Sequence, residues 1–351
     1  MSGELYDYIE EERARFGEDL TILGHHYQEE NVIRHTDLRG DSLELARRTS
    51  SVRSKYIVFC GVYFMAESSA LLAAPAQRVY LPEPSAECSM ALMSPASLLG
   101  EVLDALTRKG RKVIPLAYVN STLAVKAVVG GRQGAVCTSA NARRMLEWAW
   151  SQGEAVLFLP DKNLGRNTAD LLGIPAEEQH ILNLKDGLRR LDLEAAAQAR
   201  LLLWPGFCSI HTRFHLRQIE RVRAECPGAR IVVHPECSPE VVAAADVSGS
   251  TSFIIRFVEE LPDGATVAVG TEINLVERLA ERHKGRLTVL PLVESACTHM
   301  AQTTEESLAA ALRDLAACER EGRGSRFQVR IAEDLKNPAK AALERMLRVC
   351  A

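Results

Sequence analysis

The sequence has no apolar run long enough to cross a bilayer. Its longest uncharged apolar stretch, Ile57 to Ala66, is about half of the roughly 20 residues a spanning helix needs. Nor does it open with a secretion signal, because Met1 to Asp19 is rich in Glu, Arg and Asp. No membrane is expected as a partner, and the expected compartment is the cytoplasm. Charge of neither sign dominates: 42 Lys and Arg stand against 46 Asp and Glu, a net −4, with no long run of like charge. That balance gives no footprint for nucleic acid. There is no Gly-Lys-Ser/Thr phosphate loop, and Gly130-Gly131-Arg132-Gln133-Gly134 precedes a strand and reads as a turn. Nine cysteines contain no CxxC pair. An odd, sparse set in a reducing compartment reads as core thiols, catalytic thiols or metal ligands rather than disulfides.

What is present is an ordinary globular composition, 47% apolar and 25% charged over 351 residues, enough for two to three domains. Short aliphatic runs alternate with helix-length segments. The runs are Thr21–Gly24, Tyr56–Gly61, Arg78–Leu81, Lys112–Ala117, Ala155–Leu159, Leu201–Trp204, Arg230–Val233, Thr266–Gly270 and Arg286–Leu290. Segments such as Ser42–Ser51, Asn141–Gln152 and Ile273–Lys284 carry the helical spacing. This alternation predicts parallel βαβ units.

The units repeat three times. Three strand ends carry a polar pair at i and i+2, on one face of an extended chain: His25 and Tyr27, Tyr118 and Asn120, His234 and Glu236. Each is followed by a Ser/Thr segment opening a helix, at Asp41-Ser42, Thr138-Ser139 and Ser250-Thr251. A third strand follows, then a fourth that runs into a loop with one cysteine: Cys88, Cys208 or Cys297. His25 to Cys88 and His234 to Cys297 are both 63 residues apart, whereas Tyr118 to Cys208 is 90. The excess falls in a polar, helix-forming insertion near 166–198. A long helix is expected after each cysteine loop, over Ser94–Lys109, Phe214–Cys226 and Glu305–Cys318. The expected fold is α/β: three related three-layer αβα domains with short parallel sheets around a pseudo-threefold axis. Their boundaries are 1–110 (with an N-terminal helix), 111–228 and 229–318, with a helical tail over 319–351. One large doubly wound sheet is the alternative.

Of the nine cysteines, only Cys88, Cys208 and Cys297 occupy one equivalent place in every unit, beyond the carboxyl end of a strand, where open α/β sheets bind ligands. Three thiolates with no fourth suit a [4Fe–4S] cluster with one open iron better than structural zinc, which prefers four protein ligands. Ser42, Ser139 and Thr251 stand at or near helix starts, where they act as caps or help hold an anion. His25, Tyr27, Tyr118, His234 and Glu236 are suited to proton transfer, and Asn120 to holding an oxyanion or carboxylate. His211 and His299 flank two of the cysteines, as support for the ligand loops or as surface residues. His211 and His215 would share an i, i+4 spacing on a possible helix, but they lack the glutamate of a metalloprotease motif.

The chain resembles the quinolinate synthases. The resemblance runs from about Ile22 to Met300 through many ordered blocks. Among them are Leu23-Gly24-His25-His26-Tyr27-Gln28, Gly40-Asp41-Ser42-Leu43-Glu44-Leu45-Ala46 and Phe59-Cys60-Gly61-Val62-Tyr63-Phe64. Tyr118-Val119-Asn120-Ser121, Leu159-Pro160-Asp161-Lys162-Asn163, Trp204-Pro205-Gly206-Phe207-Cys208, His234-Pro235-Glu236-Cys237 and Gly249-Ser250-Thr251-Ser252 continue it. The resemblance implies three related αβα domains and one [4Fe–4S] cluster per chain, held by Cys88, Cys208 and Cys297. It implies condensation of iminoaspartate with dihydroxyacetone phosphate to quinolinate, phosphate and water, coupled to an enzyme that makes iminoaspartate. Substrate contacts then fall on His25, Tyr27, Ser42, Tyr118, Asn120, Ser139, His234, Glu236, Ser250 and Thr251. Catalytic roles fall on Glu236, His234, His25, Tyr27 and Tyr118. Met300 stands where some members carry a second cysteine, so no redox pair with Cys297 is expected. The alternatives are another iron–sulfur hydro-lyase or a non-enzymatic iron–sulfur sensor.

Overall fold

A computed structural model describes residues 2–108 and 110–351. Met1, where the charged N-terminal stretch begins, and Lys109, the expected last residue of the helix after Cys88, lie outside the described residues. Three separate parallel sheets flanked by helices are present, and the single large sheet is excluded.

The first sheet contains β1 (Leu20–His25), β2 (Leu38–Gly40), β3 (Tyr56–Cys60) and β4 (Arg78–Tyr80), in the order β2-β1-β3-β4. The second contains β5 (Val113–Tyr118), β6 (Ala135–Cys137), β7 (Ala155–Leu159), β8 (Gln179–Ile181) and, after a short strand β9 (Lys185–Leu188), β10 (Leu201–Leu203). Its order is β6-β5-β7-β10-β8. The third contains β11 (Arg230–Val233), β12 (Val247–Ser248), β13 (Thr266–Gly270) and β14 (Thr288–Pro291), in the order β12-β11-β13-β14. The same winding thus occurs three times. Every β-branched or aliphatic run of the sequence became a strand. The additional edge strands β2, β6 and β12 are two or three residues long, too short to show a period of their own.

The insertion differs from expectation. It is helical at both ends, in the helices Lys162–Leu171 and Leu193–Gln198, but between them it adds β8 to the edge of the second sheet, paired in parallel with β10 from Leu201↔Gln179 to Leu203↔Ile181. Tertiary pairing overrides a weak helical composition here.

The chain forms two compact units. One comprises Met1–Cys88, Glu272–Arg278 and Ala296–Ala332, and holds the first sheet. Its core packs Ile9 and Phe16 of the N-terminal helix and Ile22 and Val58 of the sheet against Leu308, Leu312 and Leu315. The other comprises Ser89–Thr271, Leu279–Ser295 and Glu333–Ala351, and holds the second and third sheets. Within it, the amide of Asn167 donates to the carbonyls of Pro235 and Cys237, both at 2.8 Å, and that of Asn163 to the carbonyl of Glu236 at 3.2 Å. These bonds tie the helix Lys162–Leu171 of the second sheet to the turn that carries Glu236.

The last helix, Glu333–Val349, belongs to this second unit and packs against the helix Leu123–Gly131. The approach is backbone to backbone: a Cβ on Gly130 would lie 1.8 Å from the Pro338 carbonyl oxygen. No rotamer change relieves such a clash. Gly130→Ala should therefore cost roughly 1–3 kcal/mol by overpacking, more than the gain of up to about 1 kcal/mol in helix propensity. Gly131→Ala, with open space around it, should be neutral or stabilising. Urea unfolding of the two variants checks this, and equal midpoints would refute the close approach.

Candidate active site

In the second unit, the turn after β11 places His234 and Glu236, and the chain after β10 brings Cys208 and His211 beside them. The Glu236 carboxylate is buried, at 2% exposure. Its Oε2 lies 2.9 Å from His211 Nδ1, and Tyr118 donates a further hydrogen bond to it. His211 Nε2 lies 3.3 Å from Thr271 Oγ1, and the His211 ring stacks on that of His234 with centroids 4.3 Å apart. Ligand atoms of Cys208, His211 and Glu236 all lie within 4.8 Å of one another.

Burial alone would raise the Glu236 pKa. The opposing pull of His211 and His234, with the hydrogen bonds from His211 and Tyr118, outweighs it and holds the carboxyl down at about 2. His234 goes the other way. Burial, with His211 adding to it and Glu236 opposing, lowers it to about 3, so the imidazole is neutral at pH 7. The backbone N–H of Glu236 points to His234 Nδ1 at 3.4 Å, which assigns the proton of the neutral ring to Nε2.

The pH dependence of stability follows. Between pH about 6.5 and about 3, unfolded chain binds a proton at His234 that folded chain refuses. Stability should therefore fall as pH drops through that window, by at most about 1.4 kcal/mol per pH unit from this group. Urea midpoints of the iron-free chain at pH 7 and pH 5 measure it. His234→Asn should show the smaller drop; an equal drop in both would remove His234 as the source.

The neighbouring strand ends carry buried polar atoms without a protein partner, among them Asn120 Oδ1 and Ser121 Oγ after β5, and Thr138 Oγ1 and Asn141 Nδ2 after β6. Buried groups of this kind are normally satisfied, so four at one sheet edge point to a polar ligand. Ser139 is half-buried beside them. Lys126 is fully buried below, its Nζ donating to the Ser121 carbonyl at 2.5 Å. At the third sheet Ser250 caps the helix Thr251–Glu259, its Oγ accepting from the Phe253 N–H at 3.3 Å, and Thr251 is the first helical residue.

The first unit carries the rest of the expected site. His25 ends β1, and its Nδ1 accepts the Tyr27 N–H at 3.1 Å, the geometry of His234 and Glu236 repeated. The two rings meet edge to face at 4.7 Å. Asn274 donates to the Tyr27 carbonyl at 3.1 Å, and Arg278 to the carbonyls of His26 and Gln28 at 2.8 and 2.6 Å. Ser42 opens the helix Ser42–Thr49 directly after its cap Asp41. Cys88 and Cys297, like Cys208, are half-buried, whereas Cys60, Cys137 and Cys237 are buried.

Within the second unit the structure thus brings Tyr118, His234, Glu236 and Cys208 together. His211 is the member that sequence reasoning left undecided; its place three residues after Cys208 was the only signal. His211 and His215 do not share a helix: His211 opens a 3₁₀ turn, His211–Arg213, and His215 caps the helix Leu216–Glu225. The two rings therefore form no zinc pair of the helical type.

Parallel αβ sheets with an ionised carboxylate, a neutral histidine and a tyrosine buried beside a half-buried cysteine define an enzyme of the α/β class. Residues 7–348 match the family Quinolinate synthetase A protein, and the chain belongs to that family. It is 43% identical over 343 residues to the quinolinate synthase of Acidobacterium capsulatum, covering 96% of this chain and 91% of that one. Against the quinolinate synthase of Corynebacterium glutamicum it is 43% identical over 351 residues, covering 99% and 88%. Against that of Streptomyces coelicolor it is 42% identical over 342 residues, covering 95% and 86%. No helix among the described residues is long and apolar enough to cross a membrane.

Proposed function

We propose that the chain is a quinolinate synthase that condenses iminoaspartate with dihydroxyacetone phosphate, releasing phosphate and water. The observation that carries the reading is the ionised, buried Glu236 held by His211 and Tyr118 within reach of the Cys208 thiol. One [4Fe–4S] cluster per chain is assigned to Cys88, Cys208 and Cys297. The donor set fits: these three thiols are half-buried and lie in the repeated loops, as the half-buried Cys226 and Cys350 do not, while burial pushes the thiols of Cys60, Cys137 and Cys237 upward, away from the thiolate a metal needs. When bound, the cluster supplies a Lewis-acidic iron for a substrate oxygen.

The chain's own residues do the rest. Glu236 accepts a carbon-bound proton, and Tyr118 returns one to oxygen. His234 offers Nε2–H to a developing negative charge, and His25 with Tyr27 serves proton transfer from the first unit. Asn120, Ser139, Ser250, Thr251 and Ser42 hold the carboxylates and the phosphate, helped by the unpartnered Thr138 and Asn141 groups. Iminoaspartate comes from a separate enzyme that produces it, and the compartment we assign is the cytoplasm. The three segments 1–110, 111–228 and 229–318 are taken as repeats of one fold, with 319–351 as the tail. The test is direct: protein purified without oxygen, carrying on the order of four irons per chain, is given oxaloacetate, ammonia and dihydroxyacetone phosphate. Quinolinate should form; cluster-replete protein that makes none would sink the reading.

A further inference from the structure

Two residues outside every role assigned above sit at one repeated position. Each third strand is followed, two residues after its end, by the residue before the next helix. This is Val62 after β3, Asp161 after β7 and Glu272 after β13. The two acids are fully buried. Asp161 Oδ1 accepts the N–H groups of Asn163 and Leu164 at 2.8 and 2.9 Å, capping the helix Lys162–Leu171. Its other oxygen, Oδ2, accepts the backbone N–H of Cys208 at 3.1 Å, 47 residues away in sequence. Glu272 repeats this: Oε2 accepts the Asn274 N–H at 2.9 Å, and Oε1 accepts the backbone N–H of Cys297 at 3.4 Å. Asp161 therefore gives one oxygen to a helix start and the other to the peptide of Cys208; Glu272 does likewise for Cys297, its Oε1 also accepting the Asn274 side-chain amide at 3.1 Å.

Around Cys208 the strand ends are knitted further. Lys162 N–H donates to the Gly206 carbonyl at 3.0 Å, and a Cβ on Gly206 would lie 2.5 Å from the Pro160 carbonyl oxygen. The first repeat does it differently. Val62 has no side-chain acceptor to offer, and the adjacent Tyr63 N–H instead donates to the carbonyl of Ala86, near Cys88, at 2.8 Å.

We propose that Asp161 and Glu272 are positioning residues that brace the Cys208 and Cys297 loops, and so set how firmly the cluster is retained. The cluster half of this rests on the function proposed above; the brace itself is a property of the iron-free chain. Burial raises the pKa of both acids, that of Asp161 with Glu236 adding to it and that of Glu272 to about 7, and a carboxyl group is required because both of its oxygens accept. In Asp161→Asn the amide keeps one oxygen for the helix and turns an NH2 group toward the Cys208 N–H. The cap survives and the brace is lost, two donors facing each other. Glu272→Gln does the same at Cys297. Asp192→Asn is the control: Asp192 caps the helix Leu193–Gln198 through the Glu194 and Ala195 N–H groups, and these contacts involve no cysteine backbone.

Amide hydrogen exchange on the iron-free full chain reads the brace. Protection at Cys208 should fall about tenfold or more in Asp161→Asn, and at Cys297 in Glu272→Gln, each leaving the other cysteine's amide unchanged. Iron release to an excess of bathophenanthroline from the anaerobically reconstituted chain reads retention. It should be about 10- to 100-fold faster in both variants than in wild type or Asp192→Asn. Asp161→Ser, which retains one oxygen for the helix start, replaces Asp161→Asn should that variant not fold. Amide protection and iron release that match Asp192→Asn would overturn the proposal. A wild-type chain that takes up no iron, with the exchange effects present, would sink the cluster assignment and leave the brace standing.

Discussion

Cys208→Ser should purify colourless, with iron and sulfide at about a tenth or less of wild type, and should make no detectable quinolinate. A cluster is held by thiolates, and a serine hydroxyl does not ionise near neutral pH to replace one. The same outcome is expected for Cys88→Ser and Cys297→Ser. Cys60→Ser, Cys226→Ser and Cys350→Ser are the contrast. Cys60 is a buried member of the first unit's core. Cys226 is the C-cap of the helix Leu216–Glu225, and Cys350 lies 3.6 Å from the Met145 sulfur. These three should keep their iron whatever they lose in stability. Iron content after anaerobic reconstitution decides the matter. Cluster loss in Cys226→Ser with retention in Cys208→Ser would show that the threefold alignment of the cysteine loops is wrong.

Glu236→Gln should keep the iron and the fold and lose turnover, with kcat down by roughly 10² to 10⁴, the usual worth of a positioned proton acceptor. The substitution is mild structurally. Glu236 accepts from His211 on one side and from Tyr118 on the other, so the amide keeps an oxygen for one of them. His211 can absorb the change by switching tautomer, accepting at Nδ1 and donating from Nε2 to Thr271 Oγ1. Circular dichroism and the iron spectrum should thus match wild type. A near-normal kcat would leave Glu236 as a binding residue only.

Much of this was legible in the linear pattern, for a physical reason. A strand that is buried on both faces must be a short aliphatic run, and helix starts after strands must supply acceptors, so βα units leave local marks. The marks at His25/Tyr27, Tyr118/Asn120 and His234/Glu236, and at the three loop cysteines, come from sharing one winding three times, and the three sheets have that common strand order. The short edge strands and β8 left no such mark, because pairing with a neighbour formed them and local composition did not.

Local pattern marked out the α/β fold class, the three loop cysteines and the polar pairs at the strand ends. Those are consequences of local period and spacing, which a chain carries before it folds. Folding adds that His211 holds Glu236 and stacks on His234, that Asp161 and Glu272 reach the peptides of Cys208 and Cys297, and that the last helix closes on Gly130. Each of those joins groups 23 or more residues apart. No local pattern encodes such a partner, because the hydrogen bond or contact exists only once burial has removed water as the alternative.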